Sequence, residues 1–174
     1  MPQLTLLTPL GDLTVSEENG AIVALDWGRG RDQDRTDLLA TAAGQLQDYF
    51  DGARDAFDVP LAPRGTAFQQ RIWAALRQIP GGETRSYGDL ARALGSAARA
   101  IGQANGRNPI PILIPCHRVV GAGGTLGGYS GGDGTATKRW LLDHERRAFG
   151  RPTAKTLPEL PLGLSRAGQR GTTL

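Results

Sequence analysis

The sequence predicts an α/β N-terminal domain, made of a small antiparallel sheet plus a helix, followed by a mainly α domain. β-type runs separated by turn residues fill the first 27 positions, whereas apolar residues recur at helical spacing from residue 67 onward. Residues 1–62 carry 11 acidic and 4 basic side chains, while residues 63–174 carry 6 and 16. We therefore expect an acidic scaffold domain at 1–62 and a basic domain at 63–149 whose field attracts a polyanion.

The turns define the N-terminal domain. Strands are predicted over residues 4–8, 13–15 and 22–27. The pair Asn19-Gly20 separates the last two strands, and it is a strong hairpin signal because both residues accept a positive φ. A helix is predicted over residues 37–50. Helical spacing gives it one apolar stripe, formed by Leu38, Leu39, Ala42, Leu46 and Tyr49.

The rest of the chain is predicted to be helical except at its end. A linker with two prolines at residues 52–64 precedes a helix that begins near Phe68 and stops at Pro80-Gly81-Gly82. A last helix is predicted over residues 136–149. Residues 150–174 are rich in Pro, Gly, Arg and Thr without lasting periodicity, so an irregular or disordered tail is expected there.

Two short helices in between form a candidate helix-turn-helix. Residues 87–94 are predicted to be helical up to Gly95, and Ser96 is a good N-cap for a helix over residues 97–104. Small residues surround Arg99 on that second helix. A bare helix with one arginine suits a narrow groove and insertion into a base stack, whereas major-groove reading needs several long polar side chains. The alternative is an alanine-rich helix packed inside the domain.

Composition excludes several classes of protein. Hydrophobic residues make up 39% and charged residues 21% of the 174 residues, as in globular proteins with a core. No apolar run approaches the roughly 18 residues of a membrane span. No basic and then apolar segment opens the chain, so we expect no secretory signal, no membrane association and a cytoplasmic location. A single cysteine excludes an intramolecular disulfide and a cysteine-cluster zinc site.

The chemistry is concentrated around that cysteine. Residues 108–121 form an apolar, proline-braced run that contains Cys116, His117 and Arg118 in succession. A lone cysteine is commonly a small buried hydrophobic residue, but the two basic neighbours could stabilise a thiolate and lower its pKa. Adjacent residues in extended chain point to opposite faces, so a water molecule between Cys116 and His117 is the economical relay. A carboxylate would fix the histidine tautomer.

Spacing alone leaves the identity of that carboxylate open. The candidates are Glu83, Asp89, Asp143 and Glu145. The other histidine, His144, stands between two of them on the predicted last helix, and we interpret it as a surface or packing group.

The pentapeptide Pro115-Cys116-His117-Arg118-Val119 resembles the signature of the methylated-DNA–protein-cysteine methyltransferases, the O6-alkylguanine-DNA alkyltransferases. Further segments resemble that family in order and spacing: residues 65–69, 79–84, 86–88, 98–102, 108–109, 128–132 and 140–145. The resemblance implies a ribonuclease H-like N-terminal domain and a winged-helix-like, DNA-binding C-terminal domain. The C-terminal helix-turn-helix domain at 63–149 would then carry the catalytic site.

The resemblance also implies roles for single residues at the reacting centre. Cys116 would accept the alkyl group, His117 would be the water-linked base, and Glu145 would orient that base. Tyr87 would protonate or hydrogen-bond the departing guanine, which suits a weakly acidic phenol. Asn108 would hold the turn next to the site.

Five more residues are implied to contact the DNA or the base. Arg99 would fill the gap that a flipped nucleotide leaves. Tyr129 and Ser130 would wall the pocket and contact the base. Pro111 would pack along the pocket wall, and Val119 would offer its carbonyl to the guanine amino group.

The implied function is DNA repair by direct reversal. The alkyl group of O6-alkylguanine, and of O4-alkylthymine, in double-stranded DNA would move irreversibly to Cys116, once per molecule, after base flipping through the minor groove. No cofactor and no metal are expected, and a monomer is expected. The alternatives are a non-catalytic protein that binds alkylated DNA and a cysteine hydrolase. The connection at residues 133–137 is longer than in the family, which bears on the preferred alkyl size.

Overall fold

Three antiparallel strands begin the computed structural model, which describes residues 1–150. Strands β1 (Gln3–Thr8), β2 (Gly11–Glu18) and β3 (Ala21–Trp27) lie in the order β1-β2-β3. At the Asn19-Gly20 turn both residues have a positive φ, 52° and 79°. The predicted hairpin is therefore confirmed, and the strands extend beyond the predicted bounds because both hairpins pair almost to their turns.

Helix α1 (Asp37–Phe50) has the predicted bounds and packs on β1 and β2. It begins at Thr36, whose side-chain oxygen accepts a hydrogen bond from the backbone N–H of Leu39. Leu39, Leu46 and Tyr49 are fully buried from its apolar stripe. Sheet and helix together form the predicted α/β N-terminal domain.

The predicted linker at residues 52–64 closes the free edge of the sheet. The backbone N–H of Ile22 donates to the Pro60 carbonyl at 2.9 Å, and the N–H of Ala62 donates to the Ile22 carbonyl at 2.8 Å. Val59 is buried beside them. These bonds satisfy part of an edge that β3 would otherwise expose.

Four α-helices follow, as the periodicity predicts. They are α2 (Ala67–Leu76), α3 (Tyr87–Leu94), α4 (Ala98–Gly106) and α5 (Thr135–Phe149). Helix α2 begins with a capping box: the Thr66 side chain accepts a hydrogen bond from the Gln69 backbone N–H, and the Gln69 side chain accepts one from the Thr66 backbone N–H. Helices α3 and α4 pack on each other, and α4 also packs on α2.

The turn between α3 and α4 corrects one expectation. Gly95 ends α3 in the left-handed conformation, with φ 64°. The N–H of Ser96 then donates to the Ala91 carbonyl at 2.9 Å, so Ser96 belongs to the C-terminal cap of α3. The predicted N-cap role of Ser96 is therefore wrong. Ala97 precedes α4 instead and makes no side-chain cap.

A two-stranded parallel pair links the cysteine segment to the start of α3. A 3-10 turn over Cys116–Arg118 runs into β5 (Val119–Val120), which pairs with β4 (Arg85–Ser86). Since β4 leads directly into α3, this pair brings Tyr87 to the same region as Cys116. The mainly α C-terminal domain is confirmed as the second part of the fold.

Within residues 1–150, no helix has the length and apolar content that crossing a membrane requires. The predicted tail at 150–174 lies outside the described residues, apart from Gly150.

Candidate active site

Two asparagine side chains fix the backbone around Cys116. The Asn105 amide donates to the Cys116 carbonyl at 3.1 Å. The Asn108 amide donates to the Ile114 carbonyl at 2.8 Å, while its oxygen accepts from the Ile110 N–H at 3.0 Å. Cys116 is therefore held in a tight, largely buried turn, and 6% of its surface remains exposed.

A buried polar network begins at the next residue. His117 Nε2 lies 2.7 Å from Glu145 Oε2, and both side chains are completely buried. Arg118 donates to both oxygens of the same carboxylate, with Nε–Oε1 at 2.8 Å and Nη2–Oε2 at 2.9 Å. The hydroxyl of Tyr49, from α1, donates to Oε2 at 2.7 Å. Helix α5 thus supplies the carboxylate and α1 supplies one of its donors.

The charge state of Glu145 follows from these partners. Burial alone raises the pKa of a carboxyl group, but His117 and Arg118 together hold the pKa of Glu145 well below its usual range. The carboxylate is therefore ionised at neutral pH. Glu145 also contributes to the pKa of Tyr49, which burial raises well above its usual value, so Tyr49 stays a hydrogen-bond donor.

Of the four carboxylates that the sequence offers, the structure brings Glu145 to His117. Asp89 belongs to the capping box of α3, and Asp143 pairs with Arg146 on the surface of α5 at 2.6 Å. The interpretation of the second histidine is confirmed. His144 stacks on Trp140, and its Nε2 donates to the Tyr49 carbonyl at 2.8 Å.

Arg118 does not serve the thiolate, contrary to the sequence-based expectation. Its guanidinium donates hydrogen bonds to Glu145 and to the carbonyls of Ile79 (2.5 Å) and Asp55 (3.3 Å). The basic group that favours the thiolate is Lys138 of α5, a fully buried lysine whose Nζ lies 3.4 Å from the Gly128 carbonyl. Arg118 is therefore a partner of the carboxylate.

The resting state of Cys116 is the neutral thiol. Burial raises the pKa of Cys116, and the opposing effects of Asn108, Lys138 and Tyr129 do not cancel it. A base is needed to form the thiolate. Nδ1 of His117 is buried and has no hydrogen-bond partner within residues 1–150, so it is available to accept a proton.

A cavity of about 190 Å³ opens beside Cys116. Its walls include Trp27, Asn108, Pro111, Cys116, Tyr129 and Ser130. Residues 128–134, here named the cavity loop, form one side. The pKa of Tyr129 is raised by burial and by its charge interaction and hydrogen bond with Cys116, so its buried hydroxyl stays protonated beside the sulfur. Ser130 is exposed, with its Oγ 3.4 Å from the Gly106 carbonyl.

The structure places three of the expected site residues, Tyr87, Val119 and Arg99, outside the lining of this cavity. Tyr87 is half-buried, and Lys138 Nζ lies 5.9 Å from the centre of the Tyr87 ring. Burial raises the pKa of Tyr87, and a hydrogen bond with Asn105 lowers it by less. Val119 is fully buried in β5 and does not line the cavity. Arg99 is exposed on α4, also outside the cavity.

Four residues at the site were not foreseen from the sequence: Tyr49, Asn105, Lys138 and Trp27. Tyr49 appears in the sequence as one more apolar position of a helix. Trp27 appears as the end of a strand. For Tyr49, helical periodicity indicated burial but gave no partner, since its contact joins distant parts of the chain; Trp27, Asn105 and Lys138 carried no such signal.

Comparisons with known proteins identify the family of both parts of the chain. Residues 4–63 match the family described as 6-O-methylguanine DNA methyltransferase, ribonuclease-like domain. Residues 67–147 match the one described as 6-O-methylguanine DNA methyltransferase, DNA binding domain. Both matches fall on the two parts of the fold described above.

Individual relatives cover most of the chain. The constitutive methylated-DNA–protein-cysteine methyltransferase of Bacillus subtilis (strain 168) is 46% identical over 158 residues, which are 83% of this chain and 95% of that protein. The Methanosarcina mazei methylated-DNA–protein-cysteine methyltransferase is 47% identical over 133 residues, 75% of this chain and 80% of that protein.

A solved structure is similar in fold as well. The crystal structure of Mycobacterium tuberculosis OGT in complex with DNA has a TM-score of 0.75 and 44% sequence identity, and it covers 84% of this chain and 93% of that chain. The chain therefore belongs to the methylated-DNA–protein-cysteine methyltransferases, enzymes that repair DNA by moving an alkyl group to a protein cysteine.

Proposed function

We propose that this chain repairs double-stranded DNA by moving the alkyl group of O6-alkylguanine to Sγ of Cys116, once per molecule. The observation that carries the proposal is the position of Cys116 in the wall of a cavity, directly before a histidine that bonds a buried carboxylate. A nucleophile, a base and a group that orients the base are the parts that activate a thiol.

The first step is loss of the thiol proton. The proton of Cys116 passes through one water molecule to Nδ1 of His117, which is buried and otherwise unpartnered in the described residues. Glu145 accepts from Nε2–H, so it fixes the tautomer with Nδ1 free, and it stabilises the imidazolium that forms. Arg118 and Tyr49 keep the carboxylate in place.

The second step is displacement at the alkyl carbon. The thiolate attacks the carbon bound to O6, a C–S bond forms, and the C–O6 bond breaks with its electron pair passing to the guanine. O4-alkylthymine presents the same type of carbon and is a second proposed substrate. The product thioether has no easy hydrolytic route back, in contrast to an acyl-enzyme, so each chain reacts once.

The third step is protonation of the departing guanine. Tyr87 donates a proton or a hydrogen bond to it, because its raised pKa keeps the phenol protonated at neutral pH. The cavity residues Tyr129 and Ser130 contact the base, and Pro111 packs along it. Val119 lies outside the cavity lining, so its carbonyl accepts from the guanine amino group only if the bound base reaches beyond that lining.

Access to the alkyl group requires that the nucleotide leave the base stack. Arg99 projects from α4, whose exposed surface is otherwise formed by small residues and Gln103. This shape fits the minor groove, and we propose that the Arg99 side chain fills the gap left by the flipped nucleotide. Extrusion costs a few kcal/mol, less where pairing is already weakened. Contacts between exposed arginines and phosphates add affinity that falls with salt.

The test is the intact mass of the protein after incubation with excess duplex that contains one O6-methylguanine. The expected result is a gain of one methyl group, mapped to Cys116, that stops at one per chain. Cys116→Ser is the matched control, because it keeps the shape of the site and removes the thiolate; it should bind the duplex and gain no mass.

Two results contradict the proposal. One is a bound duplex with no mass gain in the unaltered protein, which favours a non-catalytic binding protein. The other is a methyl group on a different residue, or more than one per chain.

A further inference from the structure

Trp27 belongs to the N-terminal domain, yet its indole lies against the cavity loop. Its ring meets Tyr129 edge-on, with 6.3 Å between ring centroids and 79° between planes. A Cβ built on Gly131 would lie 2.5 Å from Trp27 Nε1, and a Cβ on Gly132 would lie 3.2 Å from Cε3. The indole therefore packs against the cavity loop and itself forms part of the cavity wall beside Cys116.

The position of Trp27 is fixed by β3. Trp27 pairs with Leu13 in the sheet. Two residues earlier, the N–H of Leu25 donates to the Pro109 carbonyl at 3.0 Å, which joins the strand to the turn beside Asn108. The indole is therefore held relative to both the sheet and the cysteine segment.

The far end of the cavity loop is also fixed. The N–H of Asp133 donates to Oγ1 of Thr137 at 2.8 Å, and the N–H of Gly134 donates to the Gly131 carbonyl at 2.9 Å. The longer connection at residues 133–137 is thus folded back onto the first turn of α5. These hydrogen bonds hold the end of the cavity loop in place, so the longer connection does not let the loop move to widen the cavity.

The other walls are no more free to move. Asn108 is bonded at both ends of its side chain, and Pro111 is buried beside it. The cavity of about 190 Å³ lies below the range of about 300–1,000 Å³ that is usual for small-molecule sites. A larger substituent on the base must displace a wall, and the cavity loop is the wall that Trp27 supports.

We propose that Trp27 is a specificity-determining residue: its indole forms part of the cavity wall and packs against the cavity loop, and it so restricts the transferred O6 substituent to small alkyl groups. Methyl is accepted well and benzyl poorly. This inference rests on the proposed transfer to Cys116 and adds the class of substituent to it.

The test compares two duplexes of identical sequence, one with O6-methylguanine and one with O6-benzylguanine. Single-turnover rates are measured by intact mass for the unaltered protein, Trp27→Ala and Trp27→Phe. The matched control is Val23→Ala, on the same strand, because Val23 lines a separate groove with Glu18 and Arg64. Thermal unfolding checks that each variant is folded, and Trp27→Phe carries the test if Trp27→Ala is not.

The expected result is a benzyl-to-methyl rate ratio that rises about ten-fold or more in Trp27→Ala, as for other pocket contacts of this size. Trp27→Phe should give a smaller rise and Val23→Ala none. The inference is overturned if the ratio stays within about two-fold of the unaltered protein in both Trp27 variants, if both rates fall together, or if the unaltered protein transfers benzyl as fast as methyl. Absence of methyl transfer by the unaltered protein overturns the proposed function itself, which separates the two failures.

Discussion

The surroundings of Cys116 divide into two sides. The polar side consists of His117, Glu145, Arg118 and Tyr49, which are joined by buried hydrogen bonds of 2.7 to 2.9 Å. Every member of that side has an ionised or strongly polar partner. Removing Glu145 leaves the buried Arg118 guanidinium without its counter-charge, and removing Tyr49 takes one hydrogen bond from the buried carboxylate; both changes cost more than a surface change.

On the other side, a cavity side formed by Trp27, Tyr129, Ser130 and Gly131 is held by packing. Its aromatic rings meet at 6.3 Å, and its one hydroxyl contact to a carbonyl, from Ser130, is long at 3.4 Å. Shape rather than charge defines this side. The comparison teaches that, under the proposed function, proton transfer and substrate selection depend on different forces and should respond separately to mutation.

The largest expected effect is on the polar side. Glu145→Gln removes the negative charge that His117 and Arg118 share, so we expect single-turnover methyl transfer to slow by about 100-fold or more. The free energy of unfolding at neutral pH should fall by about 3–5 kcal/mol, because the Arg118 guanidinium stays buried without its counter-charge. Rapid-quench kinetics and urea unfolding measure the two effects.

Asp143→Asn is the matched control for Glu145→Gln. It neutralises a carboxylate on the same helix, but one that lies near the surface and pairs with Arg146. Its effects on rate and stability should be small. Equal effects in the two variants would contradict the division between a polar side and the rest of α5.

Acid should weaken the polar side selectively. The pKa of Glu145 is lower in the folded chain than its unfolded value of about 4.3. Its contribution to stability is therefore fully present above that pH and is lost as the pH falls below it, toward the folded pKa. Urea unfolding at about pH 7 and about pH 3 should show a larger loss of stability in the unaltered protein than in Glu145→Gln. Equal losses would contradict the assignment.

Tyr49→Phe should have an intermediate effect. It removes one donor from the carboxylate, so stability should fall by about 1.5–3 kcal/mol, the range for hydrogen bonds to charged groups. The folded pKa of Glu145 should rise toward its unfolded value, because a hydrogen bond to its charged form is lost, so the total acid-induced loss of stability should be smaller than in the unaltered protein. Urea unfolding across the acid range measures both. Thr41→Ala, at an exposed position of α1, is the control, and an unchanged acid profile in Tyr49→Phe would refute the role.

The smallest effect is expected on the cavity side. Ser130→Ala should change the free energy of unfolding by less than about 0.5 kcal/mol, as for other exposed positions. Its single-turnover rate should fall by no more than about ten-fold, the equivalent of one neutral hydrogen bond. The same mass and urea assays apply. A destabilisation comparable to that of Glu145→Gln would show that the two sides are not separate.

The fold could be predicted because its local signals agree. Asn19-Gly20, Gly95 and the apolar stripe of α1 each specify one local conformation, and the bounds of α1 and α3 match the predicted ones. The error at Ser96 arose where two signals compete, since the residue after a left-handed glycine can complete one helix or begin the next.

The site could be predicted only where its residues are neighbours in the sequence. Cys116 and His117 are adjacent, so a pattern of residues indicates them. Tyr49 and Trp27 reach the site through tertiary contacts, and a tyrosine on an apolar stripe gives no sign of the carboxylate that it will bond. The partner of Arg118 was missed for the same reason.

The hydrogen bond from Leu25 to Pro109 has a consequence for heat inactivation. It joins the middle of β3 to the turn that holds Asn108, and the edge of the same strand is bonded to Pro60 and Ala62. Melting of the sheet therefore withdraws Trp27 and loosens the cysteine turn in one event. We expect repair capacity to disappear at the temperature at which the N-terminal sheet melts. The thermal stability of the sheet therefore sets the upper temperature limit of a reaction in which none of its own residues is consumed.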